Sequence, residues 1–306
     1  MSYMLVTLKE DRSYWRTASY GLFGLIMVLP IVTYIYLNFT SAPPETLNRA
    51  QEILINFRIP HHASIASWLD STAIVKILLI FTGLYLVRNN RIFLILLVPM
   101  LVSASLTALQ FILDSNTLAL IFPWRISTLI VPLCSAIILA KLISVFYQRY
   151  PEIFQRHLKS IEILSAALII LLMAAGLIRI MIEFNIKSSL PEREMMEFVS
   201  QNYEPGEIYF VPKKMQDFRL ATGVPVYGDF KSIPYNPEDV LEWRRRIKII
   251  EEFYRKPDCE SFNILIDSED LDSFVVPTSS SMPACERVSP VYKDDHYWIY
   301  TAVNAQ

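Results

Sequence analysis

Five long apolar stretches in the first 184 residues constrain this chain more than any other feature. A helix needs about 20 consecutive, mostly apolar residues to cross a bilayer. Helices buried in a soluble core are usually shorter and carry a polar face. The stretches therefore predict an α-helical membrane bundle of about five transmembrane helices, at Thr17–Phe39, Ser71–Val87, Ile92–Leu113, Ile126–Tyr147 and Ile161–Phe184.

Charge divides the chain into two parts near residue 184. Residues 1–184 contain 14 Lys and Arg against 9 Asp and Glu, whereas residues 185–306 contain 14 against 21. The net charges of +5 and −7 give the −2 of the whole chain. We therefore predict a transmembrane helical domain at 1–184 and a water-soluble domain at 185–306. The acidic second part argues against a nucleic-acid partner, because such binding needs clustered basic charge.

Basic residues in the loops predict the orientation, because loops rich in Lys and Arg stay in the cytoplasm. One set of flanks is rich in them: Lys9, Arg12, Arg16, Arg88, Arg91, Arg149, Arg156 and Lys159. The opposite set holds only Arg49, Arg58 and Arg125. Five crossings then place the N-terminus in the cytoplasm and residues 185–306 outside it, as the extracytoplasmic domain of a multi-pass protein.

Residues 185–306 alternate between helix and strand patterns, which is typical of a small α/β domain. Asn236-Pro237-Glu238 is a strong helix start, and apolar residues at spacings of three and four continue that helix to about Arg255. Strands are predicted at Glu207–Pro212, Val224–Phe230 and Phe262–Ile266, followed by a hairpin of Glu286–Tyr292 and His296–Thr301. Strands that alternate with helices predict a mostly parallel sheet.

The three cysteines have different predicted roles. Cys134 lies inside the fourth apolar stretch and is expected to be a small apolar filler. Cys259 and Cys285 flank the third predicted strand, and in an oxidising compartment they are candidates for a disulfide, with Cα atoms about 4.4–6.8 Å apart. Two free core cysteines are the alternative. No CxxC or HxxxH spacing accompanies them, so no metal site is predicted there.

Arg58, His61 and His62 in the first outer loop are candidate ligands for a phosphate group. Arginine offers two parallel N–H donors, and histidine can donate a proton or bind a metal. Adjacent histidines on a regular helix cannot both point into one site, so the alternative is a loop in which one histidine caps a helix and the other faces water.

Arg125 and Lys76 extend this candidate substrate-binding set. Arg125 lies at the outer edge of the fourth stretch, where its side chain either reaches the interface or points into the bundle toward a lipid phosphate. Lys76 lies about 9 Å into the second stretch at the helical rise. Charged groups at membrane depth are costly and usually face the protein interior or a water-filled cavity.

Three segments carry a resemblance to known proteins: FRIPHH at 57–62, FPWRIS at 122–127 and FRLATGVPVYGDFKSIPYNPEDVLEW at 218–243. They resemble the C-terminal half of uncharacterised bacterial polytopic membrane proteins, which are in turn similar to the GT-C superfamily of membrane glycosyltransferases. The resemblance implies a place in the bacterial cytoplasmic (inner) membrane and a polyprenyl-phosphate sugar as lipid partner. It also implies a catalytic acid in the first outer loop.

The first outer loop contains only Glu45 and Glu52, with Asp70 at the start of the next stretch, and no paired acids. The chain is therefore expected to act together with a separate N-terminal half that supplies the acid. No cofactor is identified from the residues, and a divalent metal stays open as a requirement.

Two functions follow as hypotheses. The first is part of a glycosyltransferase that uses a lipid-linked sugar at the outer membrane face, with an unidentified catalytic residue. The second is a non-catalytic, membrane-anchored extracytoplasmic binding or assembly module. An acidic outer loop encoded directly upstream would favour the enzyme.

The predicted orientation can be tested with a reporter fused after Gln306. Because the basic flanks place the C-terminus outside, alkaline phosphatase fused there should be active and a cytoplasmic reporter inactive. The opposite pattern would reverse the orientation and remove the oxidising environment on which the disulfide prediction depends.

Overall fold

The computed structural model of the chain describes residues 4, 6–8, 12–38, 42–280 and 284–303. Contacts between Cα atoms divide it into two compact units. Unit one comprises Met1–Glu162 and Asn236–Glu238, and unit two comprises Ile163–Tyr235 and Asp239–Gln306. Three residues used in the sequence predictions, Lys9, Phe39 and Gln306, lie outside the described residues. The predicted boundary at residue 184 concerns which part is in lipid and stays a prediction.

The described part of unit one consists of helices joined by turns and short loops. Its elements in chain order are α1 (Tyr14–Asn38), α2 (Pro44–Ile53), a π-helical turn (Leu54–Arg58), α3 (Pro60–Ala63), α4 (Ile65–Trp68), α5 (Ser71–Leu86), α6 (Arg91–Leu113), α7 (Asn116–Leu120), a 3₁₀ turn (Pro123–Ile126), α8 (Ser127–Arg149), α9 (Pro151–Arg156) and the first residues of α10 (Leu158–Ser188).

Helices of membrane-spanning length confirm that the chain is a multi-pass membrane protein. Within the described ranges, four helical segments are long and apolar enough to cross a bilayer: Tyr14–Leu37, Arg91–Leu113, Asn116–Arg149 and Leu158–Ser188. The Ser71–Leu86 helix is apolar but only 16 residues long. The predicted number of about five therefore depends on whether α5 also crosses, which stays a prediction.

The apolar side chains of α1 and α10 point outward rather than into a core. Leu25 is 71% exposed on α1 and Leu171 is 65% exposed on α10. Neither spanning segment has a buried residue in its most apolar window. Such continuous apolar surface is unfavourable in water and is what lipid chains cover.

The core of unit one forms where α5 packs against α8. Ile80 and Leu84 of α5 contact Ile130 and Cys134 of α8, and Leu96 of α6 completes the buried cluster. Gly83 permits the close approach, because a Cβ atom there would lie only 2.6 Å from the Cβ atom of Cys134. Small residues at helix contacts are how membrane helices achieve tight packing. Cys134 is fully buried, as predicted for an apolar filler.

Unit two contains most of α10 and a sheet covered by helices. Its further elements are α11 (Arg193–Asn202), β1 (Tyr209–Phe210), α12 (Phe218–Thr222), α13 (Pro237–Arg255), α14 (Cys259–Glu269), β2 (Ser273–Pro277), β3 (Val288–Lys293) and β4 (Tyr297–Ala302). The predicted helix to Arg255 and the predicted terminal hairpin are confirmed.

The sheet is mixed, so the prediction of a mostly parallel sheet was wrong. The strand order is β1-β2-β4-β3. β1 pairs with β2 in parallel, whereas β2 pairs with β4 and β4 with β3 in antiparallel orientation. The reason is that the hairpin's second strand, β4, lies directly beside β2, so two of the three ladders become antiparallel.

Two predicted strands are not strands in the structure. The segment Phe262–Ile266 lies within α14, where Asp258 caps the helix by accepting a hydrogen bond from the backbone N–H of Ser261 at 2.9 Å. Buried Phe262 and Leu265 are three residues apart, a helical spacing. Val224–Phe230 contributes only one isolated bridge, between Val226 and Tyr209.

The sheet has a core on each face. One side packs against α11 and α12 through residues such as Met195, Phe218 and Val275. On the other side, Phe210 and Phe274 pack against aromatic residues of α13 and α14, including Phe253 and Phe262. Alternating strand residues therefore enter opposite cores, as the two-residue period of a strand requires.

Cys259 and Cys285 form a disulfide with Cα atoms 5.4 Å apart, inside the predicted range. Cys259 is the first residue of α14, and Cys285 lies in the segment that leads to β3. The bond therefore links both ends of the segment that contains α14 and β2.

The arginine run at 244–246 takes part in an ion-pair network rather than facing only solvent. Arg245 donates to Glu242 on its own helix and to Glu269 at the end of α14, at 2.6–2.8 Å. Arg246 donates to Glu242 and to the backbone oxygen of Tyr227. These bonds from the two arginines lower the pKa of Glu242 to about 2.

Gly83→Ala should destabilise unit one. The added methyl group would lie 2.6 Å from Cys134 Cβ and 2.9 Å from its Cα, so the helices must separate. Overpacking of this kind costs about 1–3 kcal/mol, measured as a lower thermal midpoint of the detergent-solubilised protein. Gly24→Ala in α1 is the control, since its Cβ would meet no described atom within 4 Å. Equal midpoints for the two variants would contradict the packing argument.

The Glu242 network should make stability depend on acidic pH. The pKa of Glu242 falls from its ordinary 4.5 to about 2 on folding. Its contribution is therefore full above pH 4.5 and is lost as the pH falls from there to about 2. In the Glu242→Gln variant, the thermal midpoint of unit two should depend less on pH across this window. Glu252→Gln on the same helix is the control, because Glu252 forms an exposed ion pair with Lys248 at 3.7 Å, and this variant should keep the wild-type pH dependence. A thermal midpoint of the wild-type protein that does not change with pH across this window would refute the proposal.

Candidate functional site

The histidine pair lies on a short helix, α3, which is flanked by the non-helical residues Ile59 and Ser64. Pro60 occupies the first position of α3, after Ile59 leaves helical geometry. The side-chain amide of Gln110 on α6 donates to the backbone oxygen of Ala63 at 2.9 Å, which anchors the end of α3. The rings of His61 and His62 lie 4.2 Å apart, centroid to centroid, and both residues are exposed.

Arg125 is positioned by a sharp turn before α8. Phe122 has a φ of 51°, a left-handed conformation rare for a bulky residue. Pro123 then opens the 3₁₀ turn, and the buried hydroxyl of Ser103 on α6 donates to the backbone oxygen of Pro123. The hydroxyl of Thr128 donates to the backbone oxygen of Arg125 at 2.9 Å. The turn is thus fixed from both neighbouring helices.

Four of the five predicted binding residues line one cavity, which we call the His–Arg cavity. It has a volume of about 470 Å³. Its wall consists of His61, His62, Ser67, Trp68, Asp70, Thr72, Ala73, Lys76, Phe122, Trp124, Arg125, Ser127 and Thr128. Residues more than 60 positions apart in sequence are therefore brought together.

Arg58 is the predicted residue that the cavity does not include. It is the last residue of the π-helical turn, two positions before α3 begins, and is half-buried. Ile59 leaves helical geometry between the π-helical turn and α3, the helix that carries His61 and His62. The grouping of Arg58 with the two histidines therefore stays a prediction.

The His–Arg cavity is predominantly positive. Burial lowers the pKa of His62, and the nearby charges of His61 and Arg125 lower it further. Asp70 is the single acid in the wall. One of its carboxylate oxygens accepts the backbone N–H of Ala73 at 2.8 Å and so caps α5. The cavity therefore presents cationic donors with one carboxylate at its edge.

Two tryptophans form an aromatic part of the same wall. Trp68 and Trp124 stack with ring centroids 5.5 Å apart and planes 9° apart. Tryptophans near the ends of apolar stretches commonly lie at the membrane interface. Trp124 precedes Arg125 directly, and this proximity was the available signal for a shared site.

No metal-binding group is apparent in the part of the chain that the structure describes. Nowhere in those residues do three His, Cys, Asp or Glu side chains come close enough to hold a metal ion.

Comparison with known proteins identifies one family model. Residues 191–250 match a domain of unknown function, DUF6798. The match begins just before α11, includes β1 and α12, and ends within α13. No curated protein and no solved structure matches the chain.

The charge of Arg125 should be measurable through His62. Because Arg125 lowers the pKa of His62, Arg125→Ala should raise that pKa toward the value set by burial and His61. Nitrogen-15 NMR of histidine-labelled protein in detergent would follow the titration. Arg49→Ala, which removes an exposed arginine of α2, should not move it. An unchanged His62 titration in Arg125→Ala would place Arg125 too far from the imidazole to act on it.

Proposed function

We propose that this membrane protein binds the phosphate group of an anionic lipid in the His–Arg cavity. The observation that carries the proposal is the convergence of His61, His62, Lys76 and Arg125 on one cavity of about 470 Å³. These residues come from three separate segments, and nothing in local sequence requires them to meet.

The chemistry of the cavity suits a phosphate ester. The guanidinium of Arg125 can donate two parallel hydrogen bonds to phosphate oxygens, and Lys76 supplies a compact positive charge. His62, with its lowered pKa, is a neutral donor near pH 7. A bound phosphate would neutralise the positive charges of Arg125 and Lys76.

Lys76 has the clearest need for such a ligand. It lies within α5, an apolar helix whose neighbouring residues Ile74 and Val75 are both 55% exposed. An ammonium group at membrane depth is costly unless it meets a partner or water. A lipid phosphate with its chains along the apolar surface of α5 would satisfy both the charge and that surface.

The orientation of the protein belongs to the same proposal. With α5 counted as a crossing, the basic flanks place the N-terminus in the cytoplasm of a bacterial cell and the His–Arg cavity at the outer face of the inner membrane. Residues 185–306 then form an extracytoplasmic domain. The disulfide between Cys259 and Cys285 supports this side, because disulfides persist in oxidising compartments.

Two forms of this function differ in whether chemistry follows binding. In the first, the ligand is a polyprenyl-phosphate sugar, and the cavity stabilises the departing lipid phosphate during glycosyl transfer. The resemblance to GT-C proteins supports this form, with the catalytic acid supplied by a separate N-terminal half. In the second, the protein is a non-catalytic binding or assembly module. The role of Asp70 as a helix cap supports the second form, since its carboxylate is already engaged.

Arg125→Ala should weaken binding of a polyprenyl phosphate by about 10- to 100-fold, because hydrogen bonds to charged groups contribute about 1.5–3 kcal/mol. Binding to the purified protein can be measured by native mass spectrometry, with the uncharged polyprenol as a ligand control. Lys76→Met keeps the length and apolar stem and should also weaken binding.

Arg49→Ala is the matched control, because Arg49 is an exposed arginine of α2 that is not among the residues of the cavity wall. Equal affinity for phosphate and alcohol, or equal affinity in Arg49→Ala and Arg125→Ala, would refute a phosphate site. Sugar release from a radiolabelled donor by the protein together with a separate N-terminal half would select the enzyme; binding without release by that pair would select the module.

A further inference from the structure

A second basic cavity lies in unit two, and it shares no residue with the His–Arg cavity. It has a volume of about 530 Å³. Four basic side chains line it: Lys187, Arg193, Lys214 and Lys231. We call it the α10 cavity, because Lys187 lies in the last turn of α10.

The charge of the α10 cavity is positive after its acids are counted. Glu192 and Asp217 also line it. The Lys231 ammonium lies 3.7 Å from the Asp217 carboxylate, and both side chains are about half exposed or more. An exposed pair of this kind contributes little, so an anion can compete for Lys231. The wall thus offers four cations against two carboxylates.

The length of α10 places this cavity at the membrane surface. The apolar part of α10 begins at Ile163, and from there to Lys187 the helix extends about 36 Å at 1.5 Å per residue. The hydrocarbon core of a bilayer is about 30 Å thick, and about 40–45 Å with its headgroups. Lys187 therefore reaches the headgroup layer when the apolar residues occupy the core.

An exposed leucine in the same wall supports contact with lipid. Leu220 on α12 is 87% exposed and lines the α10 cavity. A leucine so exposed in water is unfavourable, whereas one beside basic residues at the headgroup level resembles the surface of interfacial membrane-binding helices.

We propose that the α10 cavity binds the headgroup of an anionic phospholipid and holds unit two against the membrane surface. Lys187, Lys214 and Lys231 contact the phosphate region, and Leu220 inserts among the acyl chains below it. The ligand is a bulk lipid of the leaflet at which α10 ends. This site therefore differs in ligand source from the proposed lipid-phosphate site of unit one and does not depend on it.

The test is hydrogen exchange on the full chain in nanodiscs of phosphatidylcholine alone or mixed equally with phosphatidylglycerol. Each lysine near an anionic surface contributes about 1 kcal/mol, or about fivefold. We therefore expect amide exchange in residues 214–222 to slow by about fivefold or more in the anionic discs. Lys214→Glu combined with Lys231→Glu should abolish the slowing, and Leu220→Ser should reduce it.

Matched controls use similar residues that are not in the cavity wall. Lys248→Glu changes an exposed lysine of α13, and Ile264→Ser changes an apolar residue of α14 that is 57% exposed. Both should retain the slowing. Unchanged exchange in β2 and β4 will show that the cavity variants remain folded.

Three outcomes would overturn the proposal. One is equal exchange in neutral and anionic discs. Another is the same slowing when inorganic phosphate is added to phosphatidylcholine discs, which would assign the cavity to a soluble anion. The third is loss of the slowing in Lys248→Glu as well, which would show only a general effect of net charge.

Discussion

The close packing of α5 against α8 is the contact on which the candidate site of unit one depends. Gly83 and Cys134 bring the two backbones together, and apolar residues on both sides complete the contact. Lys76 lies two helical turns before Gly83 on α5, and Arg125 lies just before α8 begins. The same helix pair that forms the buried core therefore brings two basic residues to one cavity. Charged groups at membrane depth usually face the protein interior or a water-filled cavity, and Lys76 lines the His–Arg cavity.

Much of the architecture could be predicted from apolar length and charge alone. Four of the predicted spanning helices correspond to helices of sufficient length in the described chain, since a bilayer imposes a minimum length that leaves a strong sequence signal. The soluble part was harder. The segment Phe262–Ile266 contains too few residues to distinguish a strand from a buried helix by its pattern. In the structure, Asp258 caps the helix that contains this segment. With that strand lost, β2 was missed and the order of the sheet could not be predicted.

The site was partly predictable for a different reason. Histidine, arginine and lysine are rare near the ends of membrane-spanning segments, so each such residue could be identified as a candidate from the sequence. Four of the five predicted residues line one cavity. What sequence cannot supply is the direction of each side chain. Arg58 is not in the wall of that cavity, and Trp68 meets Trp124 only because distant segments fold together. The Glu242–Arg245–Glu269 network was missed likewise, since its third member lies on another helix.

The disulfide makes the stability of unit two depend on the redox state of its surroundings. It spans 26 positions and encloses β2, the strand that pairs with both β1 and β4. Closing a loop of that length stabilises a fold by about 3–4 kcal/mol in the chain-entropy description. A chain whose second unit remained in a reducing compartment would lack that stabilisation. It would populate unfolded forms several hundredfold more often. The bond therefore couples the stability of unit two to the redox potential of the compartment that contains it.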